Sequence, residues 1–398
     1  MKYVIVLADG MADVPIAELG GKTPLEFAKT PCMDFLASSG TMGMVKTVPD
    51  SMKPGSDVAN LSVLGYDPAT CYSGRSPLEA LSVGVSMKDT DVVFRCNIVT
   101  LSEEEPYENK TILDHSSGEI SSEDAAILMD SVREAFQNDV FRFYNGTSYR
   151  HITIWDKGEI LEMEAPHDHL GQVIGPFLPE NELFREMMRK SFDVLNNHPL
   201  NIQRAKEGKN KANSLWFWGA GTKPSLQNFK EKTGLSGTMI SAVDLLKGIA
   251  CGSGMDVVNV EGATGSLDTN YIGKANAAVK ALLEDGKDFV YIHVEAPDEM
   301  GHQGNLYHKV ESIEHIDEQI IAVVKRALDE ANEDYRILVL PDHPTPICLR
   351  THTSDPVPYV LFDSRVSNNS NTAFSEKNAM QTGNYLGNGY CLIESLIN

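Results

Sequence analysis

The chain of 398 residues has no long apolar run, no paired-cysteine motif and no surplus of basic residues, and each absence removes a class of function. The longest early apolar stretch, YVIVLA at residues 3–8, is cut by Asp9, and no later one approaches the roughly 20 residues needed to cross a bilayer. It is also too short for the apolar core of a secretion signal. The six cysteines, at 32, 71, 96, 251, 348 and 391, are scattered without a C-x-x-C. Reduced thiols in a cytoplasm fit that pattern better than a disulfide framework or a zinc ribbon. Lys and Arg number 34 against 56 Asp and Glu, so a formal net charge of -22 argues against a nucleic acid or an anionic membrane as the main partner. The nucleotide-binding pattern G-x-x-x-x-G-K-[ST] is missing as well, since GATGSLDT lacks its lysine. Internal repeats and low-complexity tracts are also lacking.

What is present is the material of a large α/β protein. The length favours two domains. Short runs rich in Val and Ile read as buried parallel strands: KYVIVLA (2–8), MDVVNV (255–260), DFVYIHV (288–294), YRILVL (335–340) and VPYVLF (357–362). Val310, Ile313, Ile316, Ile320, Val324 and Ala327 repeat at three and four residues and predict an amphipathic helix between two of them. KANAAVKALL (274–283) and MISAVDLLKGI (239–249) read as further crossover helices. The predicted fold is a mostly parallel sheet flanked by helices, formed by residues 1–79 and 213–398. Residues 80–212 are less regular, with alternating stretches such as HITIW and EILEME, and read as an inserted α+β domain.

Three predicted strands share one ending. YVIVLA runs into Asp9, FVYIHVEAP into Asp298, and RILVLP into Asp342 and His343. Ligands of open α/β sheets bind at the carboxyl ends of the strands, so three acids are expected at one sheet edge. His302 follows Asp298 by one helical turn, and His352 lies in the loop RTHTSDPVP. Three carboxylates and three imidazoles in one place call for divalent cations, and six donors exceed what one open site takes, so two ions are expected. The mixed oxygen and nitrogen set suits Mn²⁺ first, with Zn²⁺, Co²⁺ or Mg²⁺ as alternatives, over an all-oxygen Ca²⁺ cage. Taken singly, an Asp at a strand end is also an ordinary helix cap and a lone His an ordinary packing residue. In MKPGSDVANLSVLG, Ser56 stands where a helix begins, the place for a nucleophile beside a bound oxyanion, and equally the place for an N-cap. Ser62 falls inside that helix and is the weaker choice.

VLADGMAD, PGSDVANLSVLGYDP, GRSPLEALSVGV, FRCNIVT, WFWGAG, EGATGSLDTNY, HVEAPDEMGHQG and LPDHPTPICLRTHTSDPVP, in this order, resemble the cofactor-independent phosphoglycerate mutases of the archaeal-type branch, within the alkaline phosphatase superfamily. The resemblance covers nearly the whole chain. It implies that Ser56 is the phosphorylated nucleophile. It further implies that Asp9, Ser56, Asp342 and His343 hold one metal ion and that Asp298, His302 and His352 hold the other. The implied reaction interconverts 3-phosphoglycerate and 2-phosphoglycerate without added bisphosphoglycerate, and the insert would close over the intermediate to exclude water. Candidates for binding the small phosphorylated substrate are Arg75, Arg95, Asn97, Arg150, His151, Asp168 and Lys274, each equally readable as a surface charge or a structural pair. In LDHSSGEI, Glu119 departs from the family stretch by being acidic. Two other acceptors fit the same centre: another hydroxyl, as in the homoserine kinase activity proposed for members of this branch, and water, as in a metal-dependent phosphatase.

Overall fold

The computed structural model describes residues 1–366 and 370–398. The chain divides into two compact units, residues 1–72 together with 225–398, and residues 73–224.

The first unit is built on an eight-stranded sheet. Its order is Tyr385–Leu386, Thr41–Val45, Val357–Asp363, Tyr335–Leu340, Lys2–Ala8, Phe289–Val294, Gly237–Ile240 and Asp256–Val258. Lys2–Ala8 sits in the middle, parallel to both neighbours, with Val4 opposite Val290 on one side and Ile337 on the other. Apolar side chains on both faces explain the unbroken hydrophobic reading of these strands. Val4, Val6, Ala8, Val290, Ile292 and Val294 pack with Ile313, Ile316, Ile320 and Val324 in one core cluster. Each such side chain, once buried, contributes roughly 1.5–3 kcal/mol. Alternation sends Tyr291 and His293, both fully buried, to the opposite face.

Two expectations need correction here, and a third gains a detail. Val357–Asp363 runs antiparallel to both its neighbours, so the sheet is mixed at that side. Residues 237–240 form a strand, and only Asp244–Gly252 is helical, because the run GTMI is buried between Phe289–Val294 and Asp256–Val258. The helix read from Val310 to Ala327 spans Leu306–Ile316 and Ala322–Glu330, joined by a π-helical turn at Asp317–Ile321. There the Asp317 carboxylate accepts from the N–H groups of Cys32 (3.0 Å) and Met33 (2.6 Å), at the start of helix Pro31–Ser39.

The second unit carries a five-stranded antiparallel sheet around the long strand Asp91–Leu101, which pairs with Arg150–Asp156, Ser214–Thr222 and Ile112–Asp114, while Phe141–Tyr144 lies outside Arg150–Asp156. Helices Ser122–Phe136 and Glu182–Leu195 bury their apolar faces in the cluster that holds Phe94, Cys96 and Ile98. The unit begins at residue 73 and ends at 224, outside the expected boundaries of 80 and 212. Strand Ser214–Thr222 pairs along Asp91–Leu101, and Ser76 of helix Arg75–Ser82 accepts from Arg95 N at 3.1 Å and donates to Gly219 O. EILEME forms no strand. Among the described residues, no helix is long and apolar enough to cross a membrane.

Candidate active site

Asp9 directly follows strand Lys2–Ala8, and Asp342 and His343 follow Tyr335–Leu340, so the parallel register carries all three to one edge of the sheet. After Phe289–Val294 the chain turns into helix Ala296–Gln303, where Asp298 and His302, four apart, share a face. That helix ends at Gly304, whose φ of 69° suits glycine, and a Cβ there would lie 2.6 Å from Arg350 Nε. The Arg350 carbonyl accepts from His302 Nδ1 at 3.0 Å, so Nε2, 3.2 Å from Asp298 Oδ2, is the ring atom that faces the site.

The side chains fall into two adjoining groups. Asp9, Asp342 and His343 converge, and so do Asp298, His343 and His352, with every offered donor atom within 4.8 Å of the others in its group. Ser56 opens helix Ser56–Val63, and its Oγ lies 3.3 Å from His343 Nε2 and 3.4 Å from Asp9 Oδ2. His302 Nε2 is 2.9 Å from His352 Nε2 and 3.2 Å from Asp298 Oδ2. The two imidazole rings of His343 and His352 lie 4.0 Å apart, tilted by 31°.

The electrostatics suit a cation. Asp9, Asp298 and Asp342 are all buried, and Asp9 Oδ1 has no hydrogen-bond partner among the described residues. Burial, then the neighbouring Asp342 and Asp298 charges, pushes the Asp9 carboxyl well above its ordinary value. Burial lowers His343, while the hydrogen bond to the Asp298 carboxylate raises His302 to about 9. Against its own burial, Asp298 is held below the carboxylate range by hydrogen bonds from His302 and His352. Two imidazole nitrogens at 2.9 Å beside three buried carboxylates form the mixed oxygen and nitrogen set that divalent cations take. The residues present therefore fit two ions.

A second layer of residues, which sequence reasoning missed, fixes the first. Asp342 Oδ1 accepts from Gly10 N (3.1 Å) and His343 N (2.9 Å), and Oδ2 from Asn60 Nδ2 (2.9 Å). Asn60 Nδ2 also donates to Ser56 O at 2.8 Å, and Tyr291 OH donates to Asn60 Oδ1. His293, wedged between Ser241 Oγ (3.2 Å) and Asp9 Oδ2 (2.9 Å), is held neutral by burial, which lowers it to about 3. The one sequence signal for His293 was a polar residue inside an apolar strand. Buried Lys309 and Asp13 form an ion pair of 2.9 Å beneath these loops, and nothing in the local pattern marks it.

The second unit gathers four of the seven predicted substrate ligands. Glu79 bridges Arg75 Nε (2.9 Å) and Arg95 Nε (2.8 Å), and the Arg95 guanidinium stacks on Trp218 at 4.6 Å. Trp218 Nε1 donates to Asn97 Oδ1 at 3.2 Å, and Asn97 is the register partner of Arg150, which lies over Tyr149. His115 and His167, which the sequence did not single out, join through ring contacts with Tyr149 and Trp218. Asp168 is exposed beside His167. His151 pairs with Cys96 and so points to the other face, where it is buried and its Nδ1 accepts from Gly146 N. Burial lowers its ring to about 3, which removes it as a cation for an anionic substrate. Lys274 lies in the first unit, fully buried, with its ammonium on the His293 carbonyl at 3.0 Å. Neither His151 nor Lys274 is grouped with the arginines.

A mostly parallel α/β sheet whose carboxyl edge gathers a serine at a helix start, three buried carboxylates and three histidines defines a phosphoryl-transfer enzyme of the metal-assisted type. A family model described as 2,3-bisphosphoglycerate-independent phosphoglycerate mutase matches residues 37–201. A probable 2,3-bisphosphoglycerate-independent phosphoglycerate mutase of Geobacter sulfurreducens is 47% identical over 100% of both chains. The enzyme of that name from Methanosarcina barkeri is 48% identical over 95% of both. Among solved structures, a protein from Pyrococcus horikoshii matches with a TM-score of 0.81 and 32% identity, covering 99% of this chain and 96% of its own. A cofactor-independent phosphoglycerate mutase from Thermoplasma acidophilum matches with a TM-score of 0.68 and 25% identity, covering 100% and 99%. The chain belongs to the 2,3-bisphosphoglycerate-independent phosphoglycerate mutase family.

Proposed function

We propose that this protein interconverts 3-phosphoglycerate and 2-phosphoglycerate through a phosphoserine at Ser56. Asp9, Ser56, Asp342 and His343 would hold one divalent ion and Asp298, His302 and His352 the other, with Mn²⁺ as the first choice. The first unit carries this centre; within the second unit, Arg75, Arg95, Asn97 and Arg150 are the candidates for binding a carboxylate or phosphate. The observation that carries the reading is the placement of Ser56, with Oγ 3.3 Å from His343 Nε2 and 3.4 Å from Asp9 Oδ2 at the first residue of a helix.

Bound ions would supply positive charge that balances the carboxylates, draws the phosphoryl oxygens and favours the ionised form of the nucleophile. The chain does the rest. Helix Ser56–Val63 starts at the nucleophile with Gly55 as a cap that carries no side chain; Val58 N already donates to Asp57 Oδ1 at 2.9 Å, so the N–H groups before it are the ones offered to an arriving phosphate. Asn60 holds the Ser56 carbonyl and the Asp342 carboxylate together, so the nucleophile and that carboxylate keep a fixed relation. The Ser56 hydroxyl donates to Asp9 Oδ2, which is the route for its proton. Ser56 Oγ then forms the new P–O bond, the old bond to the glycerate oxygen breaks, and that oxygen takes up the proton that Ser56 gave to Asp9. Arginine forks on the retained glycerate allow it to turn, and its other hydroxyl takes the phosphoryl group back, restoring Ser56.

The test is phosphorus NMR of quenched, chelator-treated mixtures of 3-phosphoglycerate with Mn²⁺-loaded protein, without bisphosphoglycerate or nucleotide. Growth of a 2-phosphoglycerate signal without inorganic phosphate is expected, together with loss of at least 10³-fold in rate for Ser56→Ala at unchanged metal content. Inorganic phosphate as the product would make the protein a phosphatase, and full activity of Ser56→Ala would overturn the covalent route.

A further inference from the structure

Thr345 is two residues beyond His343 in a loop that leaves the sheet edge, and it is fully buried. Its hydroxyl touches one residue of each group described above. Thr345 Oγ1 donates to Asp298 Oδ1 and lies 3.3 Å from His343 Nδ1. A hydroxyl has one proton to give, and here it goes to the carboxylate, so its contact with His343 is as the acceptor of an Nδ1–H. A protonated Nδ1 leaves the His343 Nε2 lone pair directed at Ser56, Asp9 and Asp342, which lie 3.3, 3.6 and 3.4 Å away. Holding Asp298 Oδ1, which His352 Nε2 also approaches at 3.4 Å, directs Oδ2 to the side of His302, at 3.2 Å.

The hydroxyl is held in this position from three sides. A Cβ on Gly10 would stand 2.6 Å from both Thr345 Oγ1 and Asp298 Oδ1, and a Cβ on Gly301 would stand 2.8 Å from the Thr345 methyl carbon and 2.7 Å from its carbonyl oxygen. A side chain at position 10 or 301 would collide with it. Below, Lys309 Nζ donates to the Thr345 carbonyl at 2.8 Å and to Asp13 Oδ2 at 2.9 Å, and Ile347 N donates to the same Asp13 oxygen at 3.1 Å. The Asp13 loop follows Asp9 and the Ile347 loop follows His343, so one buried ion pair ties together the loops that carry both groups.

We propose that Thr345 is a positioning residue shared by the two ion sites. Its hydroxyl sets the His343 tautomer for one ion and steers the Asp298 carboxylate for the other, so that neither site keeps its geometry without it. The inference rests on the two-ion reading given above. Residues that orient metal ligands from behind are worth 10–100-fold in metal affinity each.

The experiment is titration of metal-free protein with Mn²⁺, reading free ion by electron paramagnetic resonance and heat by calorimetry. Wild type is expected to take two ions per chain, Thr345→Val to lose 10–100-fold in affinity at both, and Thr345→Ser, which restores the hydroxyl, to stay within threefold of wild type. Wild-type affinities in Thr345→Val, or a loss confined to one ion, overturn the shared role. If wild type takes up neither Mn²⁺, Zn²⁺ nor Co²⁺, the two-ion reading itself has failed, a result distinct from the failure of Thr345. Should Thr345→Val not fold, nitrogen-15 NMR of histidine-labelled wild type decides: a His343 with its proton on Nδ1 supports the proposal, and one with Nδ1 bare overturns it.

Discussion

Replacing Lys309 by methionine should destabilise the first unit far more than the lost hydrogen bonds alone would. Neither the Lys309 nor the Asp13 side chain has any solvent exposure, and the ammonium makes contacts of 2.9 Å to Asp13 and 2.8 Å to the Thr345 carbonyl. Methionine fills the same volume but leaves the Asp13 carboxylate buried with only the N–H groups of Ile347 (3.1 Å) and Val14 (2.8 Å). Breaking a buried pair from one side costs about 3–5 kcal/mol, because the remaining charge is out of water and unbalanced. At roughly 2–4 °C per kcal/mol for a unit of this size, the melting transition should fall by about 10 °C. Calorimetry or far-ultraviolet circular dichroism is the proper assay, since all three tryptophans (155, 216 and 218) lie in the second unit and their fluorescence would report on it. Lys309→Met combined with Asp13→Asn has no orphaned charge, so the pair should lose about 2 kcal/mol less than the sum of the single variants. A loss under about 1 kcal/mol in Lys309→Met, or strict additivity, would refute the reasoning.

Two further outcomes follow from the charges buried in the first unit. Burial, opposed by the Glu295 charge, lowers Lys274 to about 8 from an ordinary 10.5. The unfolded chain therefore binds more protons between those values, and stability should rise as pH goes from about 8 to 10.5, with the penalty fully present below 8. Each tenfold change in proton affinity is worth about 1.4 kcal/mol, so the rise is about 3 kcal/mol. Lys274→Met should flatten it in urea melts of metal-free protein, and an unchanged slope would count against a desolvated ammonium. Removing divalent ions with a chelator should lower the melting temperature, because Asp9, Asp298 and Asp342 then face one another without compensation. Returning Mn²⁺ at 100 times its dissociation constant should restore about 2.7 kcal/mol for each ion bound, and a melting temperature indifferent to the ion would remove the metal centre from consideration.

The candidate centre could be read from the chain because its residues sit at positions that local rules mark. Asp9, Asp298 and Asp342 each end a short apolar strand, and His302 is one turn from Asp298, so strand polarity and helical periodicity bring them to one edge before any tertiary contact is known. The same local rules misplaced Gly237–Ile240. A four-residue buried strand and the start of a helix look alike, and the difference is made by the two strands on either side of it. They also misjudged Val357–Asp363, whose direction in the sheet depends on partners far away in sequence.

The sequence by itself marked which residues end the strands, that Ser56 stands at a helix start, and which acids and histidines follow at spacings that suit one site. Only the tertiary structure decided what stands behind them. Asn60 reaches Asp342 across 282 positions, His293 reaches Asp9 across 284, and Lys309 reaches Asp13 across 296. These contacts carry no local signature, because a buried polar side chain is specified by the partner that satisfies it and not by its neighbours in the chain. The same holds in the second unit, where the alternation of one strand puts Arg95 and Asn97 on the face that also carries Trp218 and Arg150, and turns His151 to the other. Which of these side chains share a face was settled by that pleat.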